Sequence, residues 1–189
     1  MDSNPPTTLP STGRAPYLTV NPSQTKKLGE ILAKEVLKTK PPRRKAFSFL
    51  RGKKKRAPKE YLRYLTGRAL IFGLEGDLGG GKTTFLQGFA KGLGIKERIL
   101  SPTFVLMKRF KIKVSRFKYF YHIDCYRIKK PKEILDLGFK EIISNPKNIV
   151  AIEWVDRVRK ILPRGTLILK FQFADENKRK ITIKQKNGK

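Results

Sequence analysis

The run Gly76–Asp77–Leu78–Gly79–Gly80–Gly81–Lys82–Thr83 restricts this chain to a small set of architectures. It satisfies G-x-x-x-x-G-K-[ST], a loop that functions only between a β-strand and an α-helix. The glycines let the backbone turn with positive φ and aim several N–H groups at one phosphate. The helix that follows adds the positive end of its dipole. In such a loop the lysine, here Lys82, is expected to bridge β- and γ-phosphate oxygens, and the Thr83 hydroxyl to ligate Mg²⁺. The flanks agree. Ala69–Leu70–Ile71–Phe72–Gly73–Leu74 reads as a buried strand, and Phe85, Leu86, Phe89 and Leu93 mark a helix ending near Gly92 and Gly94.

The remaining pattern predicts an α/β fold, a three-layer phosphate-loop NTPase-like domain with a central, mostly parallel or mixed sheet and an inserted β-hairpin. At 189 residues there is room for one such domain with appendages. Residues 1–20 are rich in turn-formers and are expected to be disordered. Asn21–Pro22 reads as a cap and first turn, and Leu28, Ile31, Leu32 and Val36 follow at helical spacing over about 22–38. Phe110, Ile112 and Val114, then Phe117, Tyr119, Tyr121 and Ile123, alternate as a hairpin with one apolar face. A short helix over 131–137 is expected to stop at Gly138. Residues 148–152 read as a second buried strand, and 167–169 and 181–183 as late strands. The domain is drawn over 21–175, with a basic insertion at about 40–66 and a basic strand and tail at 176–189.

Charge is the next constraint. Forty-four Lys and Arg against 15 Asp and Glu give a formal +29, which favours encounter with polyanions such as RNA and equally fits a Lys-rich surface. Residues 40–68 carry twelve basic residues against Glu60, with Phe47, Phe49, Tyr61 and Tyr64 interleaved. Aromatics among cations suit unpaired bases and phosphates; a solvated insertion packing its aromatics on the domain is the other reading. Cys125 is the only cysteine, so no intrachain disulfide is possible and a reducing compartment is expected. With no apolar leader in the first twenty residues and no run approaching a membrane span, the expected location is the cytoplasm.

A phosphate-loop enzyme also needs a carboxylate beside its metal and a group to order water. Glu153 ends the strand at 149–152, where it suits the metal side, although a Glu at a strand end is often just surface. Asp124 ends the other extended segment and suits a base or water-positioner, or a cap for Tyr126–Arg127. His122 has no Cys or His cluster near it in sequence, which disfavours a transition-metal site. Cys125 reads as a small packed side chain rather than a nucleophile.

Four segments in order carry a family resemblance: GDLGGGKTT at 76–84, SPTF at 101–104, HIDCYR at 122–127 and EW at 153–154. Together they resemble the bacterial tRNA threonylcarbamoyladenosine biosynthesis ATPases, the TsaE family, over about residues 21–173. The resemblance implies a Mg²⁺-dependent ATPase, acting with the TsaB–TsaD pair in threonylcarbamoylation of the adenosine beside the anticodon, in tRNAs reading codons that begin with A. It implies that Gly76, Asp77, Leu78, Gly79, Gly80, Gly81, Lys82, Thr83 and Thr84 hold ATP and that Thr83 and Glu153 serve Mg²⁺. Lys82, Asp124 and Glu153 would be catalytic, Thr103 would sense the γ-phosphate, Thr25 would lie near the adenine, and Arg127 near the site or the partner. Met107–Lys108–Arg109 stands where family members usually carry an acidic residue, and the basic stretch at 40–68 exceeds the usual connector; tRNA contact through it is a hypothesis. The same loop also serves small-molecule and nucleotide kinases, and a nucleotide-carrying RNA-binding module is a third reading.

Overall fold

Asn21 opens the first helix as its sequence suggests: its side-chain oxygen accepts from the Gln24 N–H at 2.9 Å, and Pro22 occupies the first turn. The computed structural model describes residues 16–39, 67–100, 106–113 and 115–186. In chain order these form β1 (Tyr17–Thr19), α1 (Pro22–Lys38), β2 (Leu70–Glu75), α2 (Lys82–Gly92), β3 (Met107–Lys111) and β4 (Tyr119–Asp124). There follow α3 (Lys132–Leu135), α4 (Phe139–Ser144), β5 (Asn148–Glu153), a 3₁₀ helix (Val155–Ile161), β6 (Leu167–Phe173) and β7 (Arg179–Gln185). The seven strands make one sheet in the order β1-β7-β6-β2-β5-β4-β3. Pairs among β6, β2, β5 and β4 are parallel, and the outer pairs are antiparallel. The expected mixed, three-layer α/β architecture is what forms.

β2 is central because its apolar residues are continuous rather than alternating, which suits a strand covered on both faces. One face packs under α1 and α2 through Phe72, Phe85, Phe89, Phe120 and Phe171, and the other under the 3₁₀ helix and α4 through Ile71, Ile152, Val155 and Phe139. Phe72 and Phe89 meet edge to face with centroids 5.0 Å apart, and Phe85 and Phe171 at 5.6 Å. Burying each such ring contributes roughly 1.5–3 kcal/mol, so this aromatic cluster fixes α2, and with it the loop ahead of α2. α1 and α2 approach closely at Gly29 and Gly88. A Cβ at Gly88 would overlap the Lys26 carbonyl oxygen, and one at Gly29 the Phe85 carbonyl oxygen. Among the described residues no helix is long and apolar enough to cross a membrane.

Four expectations are corrected. The N-terminal twenty residues are not wholly irregular, since Tyr17–Thr19 pairs antiparallel with β7 and the Thr19 and Thr25 hydroxyls lie 2.8 Å apart. The β3–β4 hairpin does not have one apolar face. β4 lies beside β5, within the sheet, so Phe120 enters one core and Ile123 the other. The helix expected at 131–137 is the single turn α3, and Gly138, at φ 74°, links it to α4, which the spacing did not reveal. Arg179–Gln185 is hydrogen-bonded on both sides, by β1 and β6, so the boundary at 175 falls in the β6–β7 turn and not at the edge of the sheet. The basic insertion at 40–66 and the SPTF segment, apart from its neighbour Leu106, lie outside the described residues.

Candidate nucleotide-binding site

Three parallel strands end at one edge of the sheet. Their registers set Leu74 and Asp124 on either side of Glu153. The loop leaving β2, the acid closing β5 and the acid closing β4 are therefore neighbours, at the carboxyl ends where open α/β sheets take their ligands.

The loop turns through left-handed backbone at Gly79 (φ 72°) and Gly81 (φ 96°), conformations that disfavour any side chain bearing a Cβ. Gly81 is also the cap of α2, so free N–H groups of the first turn face the loop's interior. Lys82 follows and is 5 % exposed, with Nζ donating to the carbonyls of Gly76 (2.7 Å) and Asp77 (2.8 Å). Its ammonium also lies 4.0 Å from the centre of the Trp154 ring. Burial pushes the Lys82 pKa below its ordinary value, while Glu153 and Asp124 pull it back up. An ammonium drawn out of water at the head of a helix is a site that an oligophosphate would satisfy.

Thr83 faces the other half of the site. Its hydroxyl lies 3.0 and 2.9 Å from the two carboxylate oxygens of Glu153. Glu153 is 2 % exposed and also meets His122 Nε2 at 2.9 Å. A hydroxyl and a carboxylate are hard oxygen donors of the kind Mg²⁺ takes in ones and twos beside phosphate oxygens and water, so these residues fit that ion. Among the described residues no group of three or more His, Cys, Asp or Glu is placed to hold a metal ion.

Of the two sequence readings of Asp124, the turn cap is the one the structure displays. Oδ1 accepts from the Tyr126 N–H at 2.9 Å, capping the turn, and the carboxylate is buried at the strand end where its charge acts on Lys82. Thr25 reaches the loop too: a Cβ at Gly81 would touch its Cγ2 at 3.6 Å. Thr84 continues the first turn of α2. Leu78 is exposed at the loop tip. Thr103 falls among the residues not described, and of the basic stretch only Gly67 and Arg68 are described. Cys125 is buried, and burial, then Asp124, raises its thiol to a pKa of about 12, so it packs and does not react. Lys108 is exposed on β3, opposite His122.

Three residues at the site had not been singled out for it. Trp154 carries the one left-handed non-glycine backbone among the described residues (φ 56°), and this turn swings its indole over Lys82. Phe173 and Arg179 face one another across the β6–β7 turn, with the guanidinium 4.2 Å from the ring centre. Arg179 Nη2 also donates to the Gly79 carbonyl at 3.3 Å, which ties the hairpin to the loop. An aromatic and an arginine bracketing a short turn were visible in the sequence. What was missing was that β7 lies inside the sheet.

The family model for threonylcarbamoyl adenosine biosynthesis protein TsaE matches residues 19–181, from the end of β1 into β7. The chain belongs to the TsaE family. A Haemophilus influenzae protein named tRNA threonylcarbamoyladenosine biosynthesis protein TsaE is 34 % identical over 141 residues, covering 75 % of this chain and 86 % of the relative. A Nostoc protein of the same name is 41 % identical over 122 residues, covering 63 % and 72 %. The crystal structure of Bacillus subtilis YdiB aligns at a TM-score of 0.58 and 26 % identity, over 89 % of this chain and 82 % of that one. The TsaE match includes the phosphate loop, His122–Arg127 and Glu153–Trp154, the segments that meet at the strand ends.

Proposed function

We propose that this chain is a Mg²⁺-dependent ATPase that serves threonylcarbamoylation of the adenosine beside the anticodon, working with the TsaB–TsaD pair in the cytoplasm. The observation that carries the reading is the meeting of Thr83 with the Glu153 carboxylate at the head of the loop that holds Lys82. Gly76 to Thr84 cradle the phosphates with backbone N–H groups, and Lys82 holds the β- and γ-phosphate oxygens. Thr83 and Glu153 hold Mg²⁺, which would supply charge neutralisation at the transferred phosphoryl group. Asp124, buried beside Lys82, orients or deprotonates the attacking water. Thr25 borders the nucleoside, with Arg179 bracing the loop from the other side; Thr103 senses the γ-phosphate. The working unit is the domain from β1 to β7.

A site with one ordering carboxylate and no bound partner stabilises its transition state poorly, so hydrolysis by the isolated chain is expected to be slow. The partner would complete the water-positioning side. Segment 40–68 is the proposed route of any tRNA contact, through its charge. Phosphate release should be measured with Mg²⁺ for the wild-type chain and Lys82→Ala, with and without TsaB–TsaD. Release that rises with the pair and vanishes in the variant supports the reading. Tight ATP binding without release under any condition, or phosphate transfer to an acceptor, overturns it.

A further inference from the structure

His122 is fully buried in β4, paired with Ala151 of β5 on one side and Lys108 of β3 on the other. One ring nitrogen, Nε2, lies 2.9 Å from Glu153 Oε1, while Nδ1 is buried with no hydrogen-bond partner among the described residues. An ionised carboxylate only accepts, so the short contact requires a proton on Nε2. Nδ1 then keeps a bare lone pair, a desolvated group that nothing among the described residues compensates. An apolar ring would fill the same space without that cost. Among the described residues, the one polar contact that distinguishes histidine here is its N–H to Glu153.

Glu153 has two other suitors. Thr83 reaches both of its oxygens, and the Lys82 ammonium attracts it electrostatically. A carboxylate free to rotate would turn toward the ammonium, since the charged pairing is the stronger one. We infer that His122 is a positioning residue: its Nε2–H holds the Glu153 carboxylate toward Thr83 and away from Lys82, and so sets the affinity of the pair for a divalent cation. The line His122–Glu153–Thr83 runs from the interior of β4 to the first turn of α2, so the carboxylate is held from behind by a fully buried residue. This inference rests on the reading of Thr83 and Glu153 as the cation's ligands.

The test compares two polar replacements of different reach. In His122→Gln the side-chain amide N–H reaches about as far as Nε2; in His122→Asn it stops near the position of Nδ1. Mn²⁺ binding to the full chain in the presence of ADP is followed by electron paramagnetic resonance, and ADP binding in EDTA by calorimetry. The expected result is His122→Gln within about threefold of wild type and His122→Asn weaker by about 10–100-fold, the usual range for losing a partner behind a metal ligand. ADP binding in EDTA stays within about twofold for both, because the loop that holds phosphate is untouched. Equal Mn²⁺ affinity for wild type and both variants overturns the inference. So does an equal loss in both with wild-type circular dichroism, which would assign His122 a packing role only. A wild-type ADP complex that binds no Mn²⁺ is a different result and removes the cation reading of Thr83 and Glu153 as well.

Discussion

The Thr83 hydroxyl sits within 3.0 Å of both oxygens of Glu153, a residue seventy positions further along the chain. The contact joins the first turn of α2 to the end of β5, and it is the point where the phosphate side and the carboxylate side of the site become one object. Thr83→Val keeps the shape and removes the donor. It is expected to lower hydrolysis by about 100-fold or more. The buried carboxylate loses a donor, so stability should also fall by about 1–2 kcal/mol in urea. Thr83→Ser should restore most of both. A Thr83→Val protein that hydrolyses ATP as fast as wild type would deny the contact any role.

Lys82 carries a cost to the fold. Burial lowers its pKa, so the unfolded chain binds that proton more tightly, and stability rises with pH from the folded value toward 10.5. Below the folded value the penalty is fully present. Lys82→Met removes the buried charge and retains the stem; it should melt about 2–4 °C higher at pH 7 while losing ATP hydrolysis. The gain should shrink as the pH is raised. Differential scanning calorimetry across pH 6–10 reads both effects, and a lower melting temperature at pH 7 would contradict them.

Much of this arrangement was legible in advance. The loop, its strand and its helix follow from glycine chemistry and a continuous apolar run, both of which are local. Glu153 and Asp124 were placed at strand ends, and the parallel register puts them side by side. What the pattern could not carry was long-range pairing. Three residues, Tyr17–Thr19, are too short to read as a strand until β7 is beside them. β4 looked one-faced because Tyr119 and Tyr121 are amphipathic, which hid that Phe120 and His122 are buried too. Arg179 and Phe173 gain a relation to the loop only through the β6–β7 hairpin. Trp154 was read as part of a motif, and only its left-handed backbone explains why the ring lies over Lys82.

Gly88 tests how tightly α1 and α2 are held. A Cβ there meets the backbone of Lys26, which cannot step aside as a flexible side chain would. Gly88→Ala is therefore expected to destabilise by about 1–3 kcal/mol despite the better helix propensity of alanine. Chemical denaturation gives the number directly. A stabilised Gly88→Ala protein would show that the two helices can separate without loss.

Cys125 offers a probe of global opening. With a folded pKa of about 12 against an ordinary 9.0, its thiolate is scarce at pH 8. Labelling by a disulfide reagent should follow the unfolding rate and become immediate in denaturant. Because the unfolded thiol gives up its proton first, this group also lowers stability as the pH rises above 9.0 toward about 12. Rapid labelling of the native protein at pH 8 would mean that the β4–β5 seam opens locally.

The sheet order has a bearing on how the chain is made. β2 lies between β5 and β6, both of which are synthesised well after it. As the polypeptide leaves the ribosome, α1 and α2 can pair early, but β2 emerges with neither neighbour available and with its most apolar backbone bare. The phosphate loop already exists as sequence at that stage, yet Glu153 has not been translated. A nascent chain therefore lacks the acid that faces Thr83 until β5 docks, and the interval before docking is when this protein most needs protection from aggregation.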